Sequence, residues 1–326
     1  MSDRLVYMNG DLIPESQAKL SIYDSALMFG DMVFEMTRSF NKKQFLLREH
    51  LERLYVGLKI LRIPLQMSIE EMEKACYETI EANDSFFGVD DEHRLMINVT
   101  RGTLGIYQDV VGIHKGPNVI IADFPLRWTV RGMSKLFKEG INLVTPAQRQ
   151  IPANLLDPKI KNRSRIHYLT ANIQVSDYQG ENNWALLLDQ EGFITEGTGS
   201  NFFLVKNERI YTPRPIHILR GVSRDYVIST LAKQLGLEVV ETDLECYDLA
   251  TADEAFMTAT PFCILPVASF NGVKLKESVS GKITNSLLAQ WSKNVGIDII
   301  KQIKVWDEGY TENLSAPTPY KFKAVK

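Results

Sequence analysis

Apolar residues recur along this chain in two rhythms, and the rhythm changes from segment to segment. In LVYMNGDLIP (5–14) they alternate on either side of Asn9-Gly10, the dipeptide of a two-residue turn, which predicts a β-hairpin. In LLREHLERLYVGLKILRIP (46–64) the period lengthens, with Leu47, Leu51, Leu54, Leu58 and Leu61 three or four apart. This predicts a helix that Pro64 stops. A second helix is predicted in IEEMEKACYETIEAN (69–83), where Ser68 and Glu71 form a capping box. HRLMINVTRG and NVIIADF read as strands, so the chain up to about residue 125 is expected to pack helices on a sheet.

Beyond a loop near PLRWTVRGMSK the rhythm becomes that of short strands: GINLVTP, WALLLDQEGFITEG and NFFLVKNERIYTP. The last two read as hairpins turning at Gly192 and Asn207. One helix interrupts them, SRDYVISTLAKQLG, running from about Ser223 to a terminating Gly236. The tail from about Thr311, TENLSAPTPYKFKAVK, is polar and proline-containing, and is expected to be an extended or mobile extra.

Composition narrows the class. The chain has 326 residues, 44% of them hydrophobic, enough for one large or two medium domains. With 37 Lys plus Arg against 40 Asp plus Glu the net charge is −3, which favours neither nucleic acid nor an acidic membrane as partner. Cys76, Cys246 and Cys263 are few, odd in number and widely spaced, as expected of reduced thiols in a cytoplasm. MSDRLVYMNGDLIP lacks an apolar export core and no run of 18 apolar residues occurs, so neither export nor a membrane span is expected. The five histidines never stand at metal-ligand spacing and no CxxC is present, so no metal is expected. Neither a G-x-S-x-G nor a Walker sequence occurs.

Against that neutral balance DPKIKNRSR (157–165) stands out, with Lys159, Lys161, Arg163 and Arg165 at every second position. An extended chain would point all four to one side, opposite an anion. A lysine used for Schiff-base chemistry needs neighbouring cations or burial to release its proton, and Lys161 has the neighbours; a solvated basic strand is the plainer alternative. In LRGVSRDYVI the glycine before a helix lets the N–H groups of Val222 and Ser223, with the Ser223 hydroxyl, cradle a phosphate, although a simple capped helix has the same sequence. TATP offers Thr260 as a further hydroxyl. In TEGTGSNFF, Glu196 follows an apolar strand and precedes Gly197 and Gly199, so a flat ring can approach with its nitrogen at the carboxylate; a polar hairpin end is the alternative. Arg53 follows Glu49 by four residues and is expected to pair with it, unless it reaches a phosphate.

The order of the motifs is more specific than any one of them. SALMFGDMVFEMTR, REHLERL, VTRG, the lysine segment, GFITEGTGSNFFLVKNERIYTP, ILRGVSRD and ADEAFMTATPFCILPV follow one another as in fold-type IV pyridoxal-phosphate enzymes. The chain resembles the class IV aminotransferases, among them branched-chain and D-amino-acid aminotransferases and aminodeoxychorismate lyase, over roughly residues 4 to 290. The resemblance implies an α/β (α+β) homodimer whose chain has a small N-terminal α/β domain (1–128), an interdomain loop (129–135), a larger β-rich pseudo-barrel domain that binds the cofactor (136–310) and a tail (311–326). It makes Lys161 the lysine that holds pyridoxal 5′-phosphate, with Lys159 as the rival, and Glu196 the partner of the ring nitrogen. Arg53, Val222, Ser223 and Thr260 match its phosphate ligands and Leu219 the apolar residue against the ring. Phe29 and Phe34 fall where the family lines its substrate pocket, and Arg94 near its substrate-side arginine.

The departures concern substrate. Pro261 replaces a residue whose N–H holds the substrate carboxylate in branched-chain enzymes, and Glu92 replaces a tyrosine they use there. Ile106 stands where D-amino-acid enzymes carry an arginine. Arg38, Arg101, Arg163 and Arg165 are the cations left to build another trap, with the lysine loop expected first because the resemblance puts it at the cofactor. The expected function is amino transfer from a small amino donor, branched-chain-like L-amino acids first and D-amino acids or primary amines as alternatives, to a 2-oxo acid. The rivals are a lyase on the same scaffold and a non-catalytic binder of phosphate or nucleic acid.

Overall fold

A computed structural model of the chain describes residues 3–107, 109–277, 279 and 281–309. The tail predicted from Thr311 lies outside them. The chain divides into two compact units, one of residues up to Trp128 with Ile160–Arg165, the other of Thr129–Lys159 with the chain from Ile166 onward. The lysine segment, which the resemblance assigns to the larger domain, thus packs from Ile160 to Arg165 with the first unit.

In the first unit the opening hairpin forms as β1 (Leu5–Met8) and β2 (Asp11–Pro14), with Asn9 and Gly10 both at positive φ in its turn. These strands join β3 (Met32–Met36), β6 (His93–Thr100) and β7 (Val119–Pro125) in a five-stranded antiparallel sheet of order β2-β1-β7-β6-β3, while β4 (Ser39–Phe40) and β5 (Lys43–Gln44) make a small hairpin apart from it. A short helix, α1 (Ser25–Phe29), precedes β3. Helix α2 (Leu47–Leu61) buries Leu47, Leu51, Leu54 and Leu58, and α3 (Ile69–Asn83) starts at the predicted capping box. Both cover one sheet face, made of Val33, Leu95, Ile97, Val99, Val119 and Ile121. Each such side chain, fully buried, contributes about 1.5–3 kcal/mol. Arg101, a spare cation by sequence, donates to the carbonyls of Leu61 and Arg62 at the end of α2 and pairs with Asp31.

Register fixes what occupies the other face. Phe34 lies opposite Asn98 and Met36 opposite Met96, and directly paired residues of an antiparallel sheet share a side. Arg94, two residues from Met96, continues that side, and its guanidinium lies 3.7 Å from Met36 Sδ. A sheet face with helix-packed aliphatics on one side and Phe, Met, Asn and Arg on the other is built to meet something polar.

After α4 (Arg127–Val130) and α5 (Leu136–Glu139), the second unit closes six strands into a ring: β8 (Ile141–Val144), β9 (Asn183–Leu188), β10 (Ile194–Gly197), β11 (Asn201–Lys206), β14 (Glu254–Ala259) and β15 (Cys263–Phe270). The closing pair is β10 with β11. β12 (Arg209–Pro213) and β13 (Val239–Thr242) extend from β11, and β16 (Val273–Lys274) pairs with β15. Helix α6 (Ile166–Ser176) packs Tyr168, Ala171 and Val175 on Val144, Ala185 and Leu187. The helix expected from Ser223 to Gly236 starts as α7 (Val222–Tyr226). It then widens to a π-turn at Val227–Ala232 before ending at Gly236. Helices α8 (Cys246–Ala250), α9 (Lys282–Val295) and α10 (Ile299–Glu308) complete the described chain. The buried Glu254 accepts from the N–H groups of Ile283 and Thr284, which anchors the start of α9.

Candidate active site

The basic stretch is a loop rather than a strand. Asn162 Oδ1 accepts from Ser164 N at 2.9 Å and Asn162 Nδ2 donates to the Ile160 carbonyl at 3.0 Å, an Asx turn that breaks the alternation. One point of the loop is tied to β3: Phe34 N donates to the Lys161 carbonyl at 2.9 Å, and Asn162 bridges Val33. Three of the four cations then gather on one ring. Arg163 stacks over Phe34 at 3.6 Å, with Arg165 at 5.0 Å and Lys161 Nζ at 5.1 Å. Arg163 also donates to Asn98 at 3.2 Å and Arg165 to the Asn162 carbonyl at 2.8 Å. Lys159 goes elsewhere, to Asp157 at 2.7 Å and the Ile216 carbonyl at 3.1 Å. An ammonium held by a carboxylate is a poor candidate for amine chemistry, so Lys161 is the better placed of the two lysines.

Farther along the same sheet face, Arg94 is 6% exposed, and its Nε and Nη1 have no hydrogen-bond partner. Burial, with Arg38 close by, pushes its guanidinium down to about 9. Arg38 is itself buried, donates to the Ser39 carbonyl at 3.2 Å and lies 3.7 Å from the centre of the Phe40 ring. Glu92 is not a substrate-side group here. Its carboxylate accepts from Asn41 N, Lys42 N and Ser39 Oγ at 2.8, 3.0 and 2.5 Å, closing the β4-β5 turn beside Arg38. Phe29, on α1, is 64% exposed, and Ile106 is exposed in its loop.

Arg53 does not pair with Glu49. It reaches across to β3, where Glu35 accepts from its Nε at 2.6 Å and its Nη2 at 2.8 Å, and His50 Nδ1 lies 2.8 Å from the same carboxylate. Burial works against ionising Glu35, but Arg53, His50 and Lys161 outweigh it and hold the carboxyl far below the ordinary carboxylate range. Burial pushes His50 down, so it is neutral and donates from Nδ1.

In the second unit Glu196 is buried on β10 and accepts four hydrogen bonds from neutral donors. Tyr168 Oη (2.9 Å) and Gln150 Nε2 (3.1 Å) reach Oε1; Asn201 Nδ2 (3.1 Å) and Leu219 N (3.0 Å) reach Oε2. The register explains the arrangement. Glu196 is the residue directly opposite Asn201, and β10 shifts register against β9 between Ile194 and Gly197, a bulge of the kind that re-aims a side chain. Tyr168, Gln150 and Asn201, like Glu35, carry no local motif. A Cβ on Gly197 would meet Ser200 Oγ at 2.7 Å and Met257 Cε at 2.9 Å, so those side chains would have to shift, whereas Gly199 has open space. Asn201 also donates to the Leu219 carbonyl at 2.9 Å, so Leu219 is held next to Glu196 through both its backbone groups.

Two residues on, Gly221 caps α7 without a side-chain hydrogen bond, and Val222 and Ser223 are the first helical residues. A Cβ on Gly221 would collide with Asn201 Oδ1, so only glycine lets the Glu196 network and the helix start lie side by side. Thr260 and Pro261 form the turn between β14 and β15, which Thr258 Oγ1 closes by donating to the Cys263 carbonyl at 2.6 Å.

The family model for amino-transferase class IV matches residues 32–270. The chain belongs to the class IV aminotransferases. A protein of Methanocaldococcus jannaschii, provisionally named a branched-chain-amino-acid aminotransferase, is 36% identical over 307 residues, 93% of this chain and 99% of the relative. The branched-chain-amino-acid aminotransferase of Escherichia coli is 30% identical over 296 residues, 86% of this chain and 90% of the relative. A crystal structure of the Escherichia coli enzyme superposes with a TM-score of 0.77 at 30% identity, covering 90% of this chain and 94% of the other. The branched-chain amino acid aminotransferase of Thermobaculum terrenum in its PLP form gives 0.77 at 25%, over 94% and 97%. This transaminase is a fold-type IV enzyme with pyridoxal phosphate as cofactor, and neither the lyase nor the binder reading is favoured. Its residues fit that group: a buried carboxylate with an ordered donor set and a glycine-opened helix start. Among the described residues no helix is long and apolar enough to cross a membrane, and no cluster of His, Cys, Asp and Glu is suited to a metal.

Proposed function

We propose that this transaminase moves an amino group from a branched-chain-like L-amino acid to a 2-oxo acid in two alternating half-reactions. The carrying observation is the Glu196 network, four directed donors on one buried carboxylate, which is the preparation a ring nitrogen needs to stay protonated. Bound, pyridoxal phosphate supplies an aldehyde carbon to take the amino group and a ring to draw electrons from the substrate carbon. By the resemblance, Arg53, the Val222 and Ser223 N–H groups and Thr260 would hold its phosphate, Leu219 would lie against its ring, and Lys161 Nζ would hold it covalently. As a free amine, Lys161 Nζ would be the base that moves a proton at the substrate carbon. Arg163 and Arg165 gather with Lys161 around the Phe34 ring.

With Pro261 lacking an N–H and Glu92 occupied in a turn, the substrate carboxylate falls to Arg94, beside Arg38, on the Phe34-Met36 face of the sheet. A cytoplasmic homodimer is part of the same reading. Ile22, Leu27, Met28 and Phe29 form an exposed apolar run suited to a second copy, and the three cysteines are free. The test is spectroscopic. Holoenzyme mixed with L-amino acids, D-amino acids and chiral amines in turn is expected to convert to the aminated cofactor with branched-chain L-amino acids fastest. Borohydride reduction and peptide mapping are expected to label Lys161. A label elsewhere, or conversion only by amines or D-amino acids, refutes the corresponding part.

A further inference from the structure

A carboxylic acid stands where the core asks for a hydrocarbon. Along β3, Val33 and Glu35 share one side, and Val33 lies in a cluster with Leu47, Leu51, Leu54 and Leu58 of α2. Glu35 is fully buried there. Buried ion pairs of this kind are seldom more stabilising than well-packed apolar residues, so the reason for the acid is to be sought in what it orients. What it orients is Arg53. The Nε and Nη2 edge of the guanidinium is fixed on the two carboxylate oxygens at 2.6 and 2.8 Å, and His50 Nδ1 at 2.8 Å holds the carboxylate in turn. Because the guanidinium is planar, seating that edge turns Nη1 directly away from the acid, and the side chain stays 13% exposed.

We propose that Glu35 is a positioning residue for the cofactor's phosphate arm, aiming Arg53 at the phosphate by a two-point ion pair that His50 braces. The inference rests on the reading of Arg53 as a phosphate ligand. An arginine without this partner would sample many rotamers and would have to be ordered at each binding event, so the acid converts a flexible cation into a fixed one. Glu35 itself touches neither cofactor nor substrate in this scheme.

Two probes separate the phosphate arm from the rest of the cofactor: pyridoxal 5′-phosphate, and pyridoxal, which lacks the phosphate. Dissociation constants for both are measured on the full-length apoenzyme of the wild type, Arg53→Met, Glu35→Gln, Glu35→Asp and the double variant Glu35→Gln/Arg53→Met, with circular dichroism to confirm folding. Glu35→Gln is expected to weaken the phosphorylated probe by roughly tenfold to a hundredfold and pyridoxal by less than about threefold. Glu35→Asp, which keeps the charge but draws it back by one methylene, is expected to lose part of the same preference and carries the test if the glutamine variant does not fold. The double variant is expected to match Arg53→Met alone, since positioning is worthless without the arginine. Unchanged binding of the phosphorylated probe by both Glu35 variants, or an equal loss of the two probes, overturns the inference while leaving Arg53's role intact. If Arg53→Met keeps the wild-type preference, the phosphate reading itself fails, and the inference with it.

Discussion

Arg94→Met separates what the structure needs from what the reaction needs. The guanidinium is 6% exposed, and burial beside Arg38 lowers it from 12.5 to about 9, which at 1.36 kcal/mol per pKa unit corresponds to about 5 kcal/mol spent on keeping the cation there. It remains charged at neutral pH, with Nε and Nη1 lacking partners. Methionine has a comparable reach and would join Met36 and Met96 on the same face. Replacing a buried, uncompensated charge by an apolar side chain is expected to stabilise the apoenzyme by about 1–4 kcal/mol, raising its melting temperature by a few degrees to about 10 °C. The same change removes a charge-assisted hydrogen bond to the substrate carboxylate, about 1.5–3 kcal/mol, so kcat/KM for amino acids is expected to fall roughly tenfold to a hundredfold. An amine donor of matching side chain but no carboxylate is expected to change less than about threefold. Thermal melts and half-reaction rates on the same preparation check both signs. A variant that melts lower than the wild type, or that loses amine and amino-acid activity alike, would refute the idea that Arg94 is kept for an anion.

Tyr168→Phe removes one of two donors to Glu196 Oε1 and leaves Gln150 in place; kcat/KM is expected to drop about tenfold with little loss of folding stability, read from steady-state rates beside a melt. Gly221→Ala drives a methyl into Asn201 Oδ1, and is expected to weaken cofactor binding at least tenfold in an absorbance titration, because moving Asn201 disturbs both Glu196 and the start of α7. Asp123 is a buried partner of His93, 2.8 Å away, and burial raises its carboxyl to about 6 despite that partner. The folded state therefore binds this proton more tightly than the unfolded chain, whose value is 3.8, so stability should decline as pH rises from about 4 to 6. Asp123→Asn is expected to flatten that part of the denaturation profile, and an unchanged slope would count against it.

What can be seen in the sequence, and what cannot, divides by the range of the interaction. Caps, hairpin turns and the α2 stripe depend on residues two to four apart, so Asn9-Gly10, Ser68 with Glu71, and Leu47 to Leu58 can be placed at once. Helices α9 and α10 carry the same kind of stripe in Ile283, Leu287 and Trp291, and in Ile299, Ile303 and Trp306, yet they go unpredicted. Lys161 and Glu196 emerge through resemblance, and their surroundings do not, because Gln150, Tyr168 and Asn201 meet only when the ring of strands closes. Arg53 shows the difference most sharply. Its local partner by spacing, Glu49, loses to Glu35, 18 residues away, because a solvated pair on a helix surface gains little whereas a bidentate pair inside the core must be satisfied. A trace of this is present in the sequence all the same. Strand alternation puts Glu35 in phase with the buried Val33, and the helix stripe puts His50 and Arg53 beside Leu51 and Leu54. Charged residues at buried phases on two packed elements must satisfy each other, which is how Glu35 comes to hold Arg53 once β3 and α2 meet.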